Sequence, residues 1–360
     1  MGPEIQVSVI IVNWNGRHHL EECLDSLGGQ TFKHFETILI DNGSQDGSVS
    51  WVREKFPWVW VLGLPENTGF CYANNLGYEI SRGRFIALLN NDTRVEPGWL
   101  FCLYSQMRKD ERIGICASRI VRYDNPNILD AAGDGYDFSG VGFRRGHGEH
   151  AERYEHGGAV FGACAAAAMY RKNMLEDIGF LDESFFAVGE DIDLCFRAKM
   201  AGYQCLYVPE AIVYHKISQT IGVESDFQIY QSRRNVEYVY FKNMPLVLMV
   251  LTLPMHLIYN LLTFVQAFRQ GGVTVFLKAK GDFLKNFKKT SPKRREIQAQ
   301  RKISLKELLS FFLKDYLLTR TRFEWRKNYL HSGSSKKSDH ENTPLLKEKS
   351  RNVRKFEREK

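Results

Sequence analysis

The sequence has no pair of cysteines at Cys-x-x-Cys spacing, and its seven cysteines (Cys23, Cys71, Cys102, Cys116, Cys164, Cys195, Cys205) are odd in number and scattered. That excludes a disulfide framework or a zinc knuckle and points to a reducing setting. The opening MGPEIQVSVIIVNWNG has no basic stretch ahead of its short apolar run, which reads as a buried strand rather than a signal peptide. The myristoylation pattern lacks its Ser/Thr, since Gln6 stands there. A uniform excess of positive charge is missing too. The formal net charge is +7, but up to Phe241 there are 22 Lys and Arg against 32 Asp and Glu, and from Lys242 on there are 27 against 10. The acidic majority argues against a nucleic-acid binder, and no nucleic-acid partner is expected. Finally, no Lys, Arg, Asp or Glu occurs from Asn243 through Phe268.

What is present is an alternation. Val7–Val12, Glu36–Ile40, Val59–Leu62 and Phe85–Leu89 are short β-branched or apolar runs that read as buried strands. Between them, Leu20, Leu24 and Leu27 keep helical spacing, DNGSQDGS can start a helix near Asp46, and ENTGFCYANNLGYEIS opens another. Pro97 suits the first turn of a further helix. Strand, helix, strand, helix predicts an α/β fold, a mainly parallel sheet with helices on both faces. Ligands then sit beyond the carboxyl ends of the strands. There the polar clusters fall: Asn13-Trp14-Asn15, Asp41-Asn42 and Asn90-Asn91-Asp92.

Residues 123–156 lose the pattern and read as a long irregular insertion of the kind that forms lids or binding loops. A helix follows from Glu190 to a stop at Gly202, then short strands at Cys205–Val208 and Ala211–His215. The apolar stretch 243–268 is long enough to cross a bilayer or to lie on it, and eight basic residues between Lys278 and Arg295 follow it. Such a cluster is attracted to an anionic leaflet by roughly 1 kcal/mol per residue. The expected organisation is 1–242 catalytic, 243–331 helical and membrane-associated, and 332–360 a disordered charged tail.

Taken singly, the chemical candidates are ambiguous. Asp92, at the end of a buried strand, is costly unless paired, so it is an oxygen ligand for Mg²⁺ or Mn²⁺, or else turn chemistry before Pro97. Asp41 has the same two readings, and Glu190, Asp191 and Asp193 are either catalytic acids or ordinary helix-start acids.

In order, VSVIIVNWNG, ILIDNGSQDGS, PENTGFCYANNLGYEISRGRFIALLNNDTRVEPGWL, FGACAAAAMYRK and FFAVGEDIDLCFRAKMAGY resemble the motifs of family 2 inverting glycosyltransferases, nearest their rhamnosyltransferase-like branch, over about residues 5–245. The resemblance implies a GT-A fold and a nucleoside-diphosphate sugar donor. It places Asn13 and Asn15 at the base and ribose, Asp41 on the nucleobase, and Asn67, Gly69 and Asn74 along the nucleotide. Asn90-Asn91-Asp92 stands in place of the metal-binding Asp-x-Asp, with Asn90 for the first Asp and so one charge fewer. Asp92 remains the implied ligand of Mg²⁺ or Mn²⁺, and His215 matches a residue that completes the metal shell. Glu190-Asp191 matches the acidic pair whose Asp is the general base, a carboxylate that a helix N-terminus keeps ionised. Gln231 and Arg234 fit a Gln-x-x-Arg-Trp signature of processive synthases except that Asn235 replaces the Trp. The expectation is a single-sugar transferase on the cytoplasmic face of the cell membrane, using dTDP-rhamnose or a UDP-hexose and a saccharide, lipid-linked acceptor. A polyprenyl-phosphate glycosyltransferase and a nucleotide-binding scaffold are the alternatives.

Overall fold

The computed structural model describes residues 4–217 and 225–314. In chain order the first half runs β1 (Val7–Asn13), α1 (Arg17–Gly28), β2 (Phe35–Asp41), α2 (Ser48–Lys55), β3 (Val59–Gly63), α3 (Phe70–Glu79), β4 (Phe85–Leu89), β5 (Thr93–Val95), α4 (Trp99–Met107) and β6 (Ile113–Arg122). Then come β7 (Leu129–Ala132), β8 (Asp134–Tyr136), β9 (Gly142–Arg144), β10 (Gly158–Val160), β11 (Ala167–Arg171), α5 (Lys172–Ile178), α6 (Glu190–Met200) and β12 (Gln204–His215). Helices α7 (Asp226–Asn243), α8 (Leu246–Arg269) and α9 (Val273–Ala299) close the described part, with residues 305–314 helical after them.

The main sheet has the order β10-β12-β6-β11-β4-β1-β2-β3. β3, β2, β1 and β4 are parallel; β11 lies antiparallel between β4 and β6, and β12 returns parallel to β6. Alternate residues of β1 serve opposite faces, as a pleated strand requires: Val7, Val9 and Ile11 pack into one apolar cluster and Ile10 into the other. Helices cover both clusters, which is why β1 is apolar throughout. The fold is the mixed, mainly parallel α/β architecture of the GT-A type.

Four expectations change. Pro97 precedes Gly98, the residue capping α4, so it lies just outside the helix. The two strands expected at 205–208 and 211–215 are one, β12, whose pairing with β6 slips at Val208/Ile212 around Pro209, a residue with no N–H for the ladder. The stretch 123–156 is built rather than irregular: β7 joins the sheet beside β6, and β8 and β9 form a hairpin. These strands have three or four residues, too few to show a period. Nor does packing divide the chain at 242/243. Phe312 is buried with Tyr136, Phe161 and Phe196, so residues well beyond 243 complete the same core. The expected tail, 332–360, lies outside the described residues, as does 315–331.

Helix α8 is amphipathic in the inverted sense. At about 100° per residue, its buried positions Leu248, Thr252, His256 and Thr263 share one narrow arc. His256 stacks on Tyr240 at 3.9 Å, and its ring nitrogens lie 2.7 Å from the Ser139 carbonyl and 3.0 Å from Glu237. The outward arc carries exposed Leu246, Val250, Leu251, Leu257, Leu261 and Phe268. A helix on a water-facing surface has the opposite arrangement.

Candidate active site

The carboxyl ends of β1, β2 and β4 meet in a network of amides. Asn13 is fully buried. Its Nδ2 donates to Asp41 Oδ1 (2.9 Å), with the Ser48 and Ser44 hydroxyls at 3.0 and 3.2 Å, and its Oδ1 accepts from Asn91 Nδ2 at 2.7 Å. Asn13 therefore spends its side chain on positioning Asp41 and Asn91. The chain passes so close to this network that a Cβ on Gly16 would collide with the Asn91 amide. Asp41 Oδ2 accepts from the Ser44 N–H, and exposed Asn15, at φ +50, receives the Gln45 N–H. Asn42, which the sequence reading left without a role, clamps the 67–69 loop. Its Nδ2 donates to Asn67 Oδ1 and the Gly69 carbonyl, and its Oδ1 accepts from the Thr68 N–H and hydroxyl. Gly69 sits at φ +93, where a Cβ would strike the Phe186 ring. Asn74 is buried inside α3 and bonds the Phe70 carbonyl.

The second cluster joins three strands. Asp92, just past β4, and His215, the last residue of β12, are both buried, with His215 Nε2 3.2 Å from Asp92 Oδ1. The approach is close but misaligned, and Nε2 has no hydrogen-bond partner. On the other side, His215 Nδ1 lies 2.7 Å from Oδ2 of Asp130 on β7, and Asp130 Oδ1 receives Arg144 Nη1 at 2.5 Å and faces His147 Nδ1 at 3.1 Å. Burial pulls the imidazole down, but the Asp130 bond and the Asp92 carboxylate outweigh it and raise His215 to about 9. Burial likewise works against both carboxylates. His147, His215 and Arg144 nevertheless hold Asp130 well below the usual range, and His215 holds Asp92 down. A buried nitrogen without a bond, beside a buried carboxylate, fits the donor set of a divalent cation. Among the described residues no three such side chains converge on one cation position. Asp92 and His215 would hold Mg²⁺ or Mn²⁺ only together with a diphosphate and water, the usual way Mg²⁺ is held in phosphate-transferring sites.

The third element is the start of α6. Gly189 turns into the helix in the left-handed region, preceded by Phe186 and Val188, also at positive φ. The motif on α7 braces this strained turn. Asn235 donates to the carbonyls of Phe185, Ala187 and Val188, and Arg234 to those of Ser184 and Phe185 as well as to Gln231. Asp193 faces away, bonded to Arg197, Lys242 and Asn243, and is structural. Asp191 Oδ1 accepts its neighbouring Ile192 N–H, and Oδ2 the Ala165 N–H at 3.3 Å. The next residue, Ala166, accepts from the Asn90 N–H at 2.9 Å. One loop, 165–166, thus brings the acid of α6 and the strand-end motif of β4 together.

The helix terminus does not lower Asp191. Burial raises it, and the two N–H bonds and the Arg144 charge only partly offset that. Glu190 is pushed up further, to about 8, by burial and then by the Asp191 charge. Of the pair, Glu190 is displaced further toward the neutral acid, and Asp191, with two backbone N–H bonds to its oxygens, is the one better held as a carboxylate.

With this geometry in place, residues 8–179 match the family model for glycosyl transferase family 2. This stretch is a family 2 glycosyltransferase domain. Among its relatives, an uncharacterized protein y4gI of Sinorhizobium fredii is 30% identical over 251 residues, covering 65% of the chain but only 27% of the relative. The N-acetylglucosaminyl-diphospho-decaprenol L-rhamnosyltransferase of Mycobacterium tuberculosis is 26% identical, covering 59% of the chain and 77% of the relative. Among solved structures, Staphylococcus aureus TarS 1-349 in complex with UDP-GlcNAc superposes with a TM-score of 0.55 at 16% identity, over 78% of this chain and 80% of that one. GalNAc-T7 with UDP, GalNAc and Mn²⁺ does so with 0.54 at 18%, over 67% and 51%. At these identities the structures establish the shared fold.

Proposed function

We propose that this glycosyltransferase moves one sugar, with inversion, from a nucleoside-diphosphate sugar to a saccharide acceptor carried on a membrane lipid, on the cytoplasmic face. The observation that carries the reading is the convergence of Asp191, bonded from α6 to the 165–166 loop, with the Asn90-Asn91-Asp92 strand end and His215. Asp41, held by Asn13 and Ser44, and the clamped 67–69 loop line the nucleotide side. Asp191, ionised beside neutral Glu190, takes the proton of the acceptor hydroxyl as that oxygen bonds to the anomeric carbon. The bond from that carbon to the diphosphate breaks in the same step, and the nucleoside diphosphate leaves with its electron pair. When bound, Mg²⁺ or Mn²⁺ supplies charge neutralisation for the leaving diphosphate. The Mn²⁺ bound in GalNAc-T7 supports that cofactor, and the name of the mycobacterial relative supports a dTDP-rhamnose type donor and a lipid-linked acceptor. The inverted amphipathicity of α8, with Lys278, Lys285, Lys288 and Lys289 exposed on α9, supports an anionic membrane surface as a partner. Because α8 packs on the protein from Leu248 to Thr263, it is read as lying on the bilayer rather than crossing it.

The test is Asp191→Asn, assayed for transfer with a panel of dTDP-, UDP- and GDP-sugars and a lipid-diphosphate-sugar acceptor. Turnover is expected to fall by about 10²–10⁴ while donor binding and the melting temperature hold. Undiminished transfer refutes the assignment of the base.

A further inference from the structure

We propose that Asp130 is a positioning residue for the cation site, acting through His215. The inference rests on the reading of Asp92 and His215 as cation ligands and adds to it a residue from the insertion at 123–156, which no motif marks. Asp130 is wholly buried on β7, and its two oxygens have separate tasks. Oδ1 is taken up by Arg144 and His147, both from the β8–β9 hairpin and the turn after it, while among the described residues Oδ2 bonds only His215 Nδ1.

An imidazole that donates its Nδ1–H to a carboxylate has its ring plane fixed, so that when a cation displaces the Nε2 proton, the Nε2 lone pair is already aimed and made more basic. Carboxylate partners of metal-bound histidines act in this way, and their loss typically weakens metal binding 10–100-fold. Here Nε2 is the buried atom that finds no hydrogen bond and points toward Asp92. The sheet sets the spacing, because β7 pairs with β6 and β6 with β12, so Asp130 and His215 approach across the ladder from 85 residues apart. The arrangement also answers the missing charge at Asn90. A second carboxylate serves the site from behind the imidazole instead of beside Asp92.

The experiment titrates the full chain with MnCl₂ at a fixed, saturating UDP or dTDP concentration, against a nucleotide-only blank, and reads free Mn²⁺ by electron paramagnetic resonance. Asp130→Asn keeps the shape of the side chain and is expected to raise the Mn²⁺ dissociation constant by about 10–100-fold. His147→Ala, which removes a contact to Oδ1 and to the Asp130 carbonyl but none to Oδ2, is expected to stay within about twofold of wild type. Wild-type binding by Asp130→Asn overturns the inference alone, and so does an equal loss in His147→Ala, which marks a general disruption. Absence of Mn²⁺ binding by the wild type overturns the cation reading and the inference with it. Should Asp130→Asn not fold, long-range ¹H–¹⁵N spectra of the wild type saturated with Mg²⁺ and the same nucleotide decide the matter. A protonated Nδ1 and bare Nε2 on His215 are expected, and the opposite tautomer overturns the proposal.

Discussion

If α8 lies in a lipid surface, removing apolar side chains from its outer arc weakens vesicle binding and nothing else. Leu257 and Leu261 are one turn apart on that arc and 59% and 61% exposed. Fully burying a leucine side chain contributes about 1.5–3 kcal/mol, so the exposed portions offer about 1–2 kcal/mol each to a bilayer. Alanine keeps one methyl, which leaves a loss of about 1 kcal/mol per site. The double variant Leu257→Ala, Leu261→Ala is then expected to bind about 2 kcal/mol more weakly, roughly 30-fold. Alanine is the best helix former and neither side chain is in the core, so the melting temperature should hold. Co-sedimentation with phosphatidylglycerol-containing vesicles measures the partition, and phosphatidylcholine vesicles isolate the contribution of the basic α9. Unchanged sedimentation of the double variant refutes the argument and leaves the outer arc as a surface for another protein.

Two further outcomes follow from the buried acids. Because burial raises Asp191, the base form is lost as pH falls through a value above the ordinary aspartate near 3.9. The acid limb of kcat against pH is therefore expected above that value, and a limb at or below it contradicts the environment described. Asp193 is the reverse case: a fully buried carboxylate paired with Lys242 and Arg197 and held low by them. Asp193→Ala leaves Arg197 without its carboxylate and Lys242 with Asp182 alone, and is expected to cost about 3–5 kcal/mol, read from urea unfolding. A loss under 1 kcal/mol shows the cluster to be dispensable.

The parallel half of the sheet was legible in the sequence because β1, β2 and β4 are buried on both faces and so appear as mainly apolar runs, whereas β6 and β11 were not read as strands. Phe85–Leu89 was read to the residue, and β1, β2 and β3 to within a residue at each end. The start of α6 and its Gly202 stop were legible for a local reason as well, since caps and glycine turns are written within a few residues. Other features are long-range and left no local mark. Asp130 is a single acid in a stretch without periodicity, and its partner lies 85 positions on. Asn13 looked like a ligand contact because it sits at a strand end, yet its side chain is used up by Asp41, Asn91 and two serines. The Gln-x-x-Arg-Asn run departs from the processive signature at Asn235, and it serves as the brace of the turn before Glu190.

By itself the sequence determined the α/β class, the strand-end placement of Asp41, Asn90, Asn91 and Asp92, the acidic start of α6 and the one long uncharged apolar stretch. Each of these is set by neighbours in the chain: hydrophobic period, turn chemistry, or composition over a window. Tertiary structure decided which acids are paired and which are free, that Asp191 is raised rather than lowered, and that α8 turns its apolar side outward. Those outcomes depend on burial and on partners brought in by the sheet ladder and by α7. Desolvation and cross-strand contact are properties of the packed molecule, and no window of the sequence contains them.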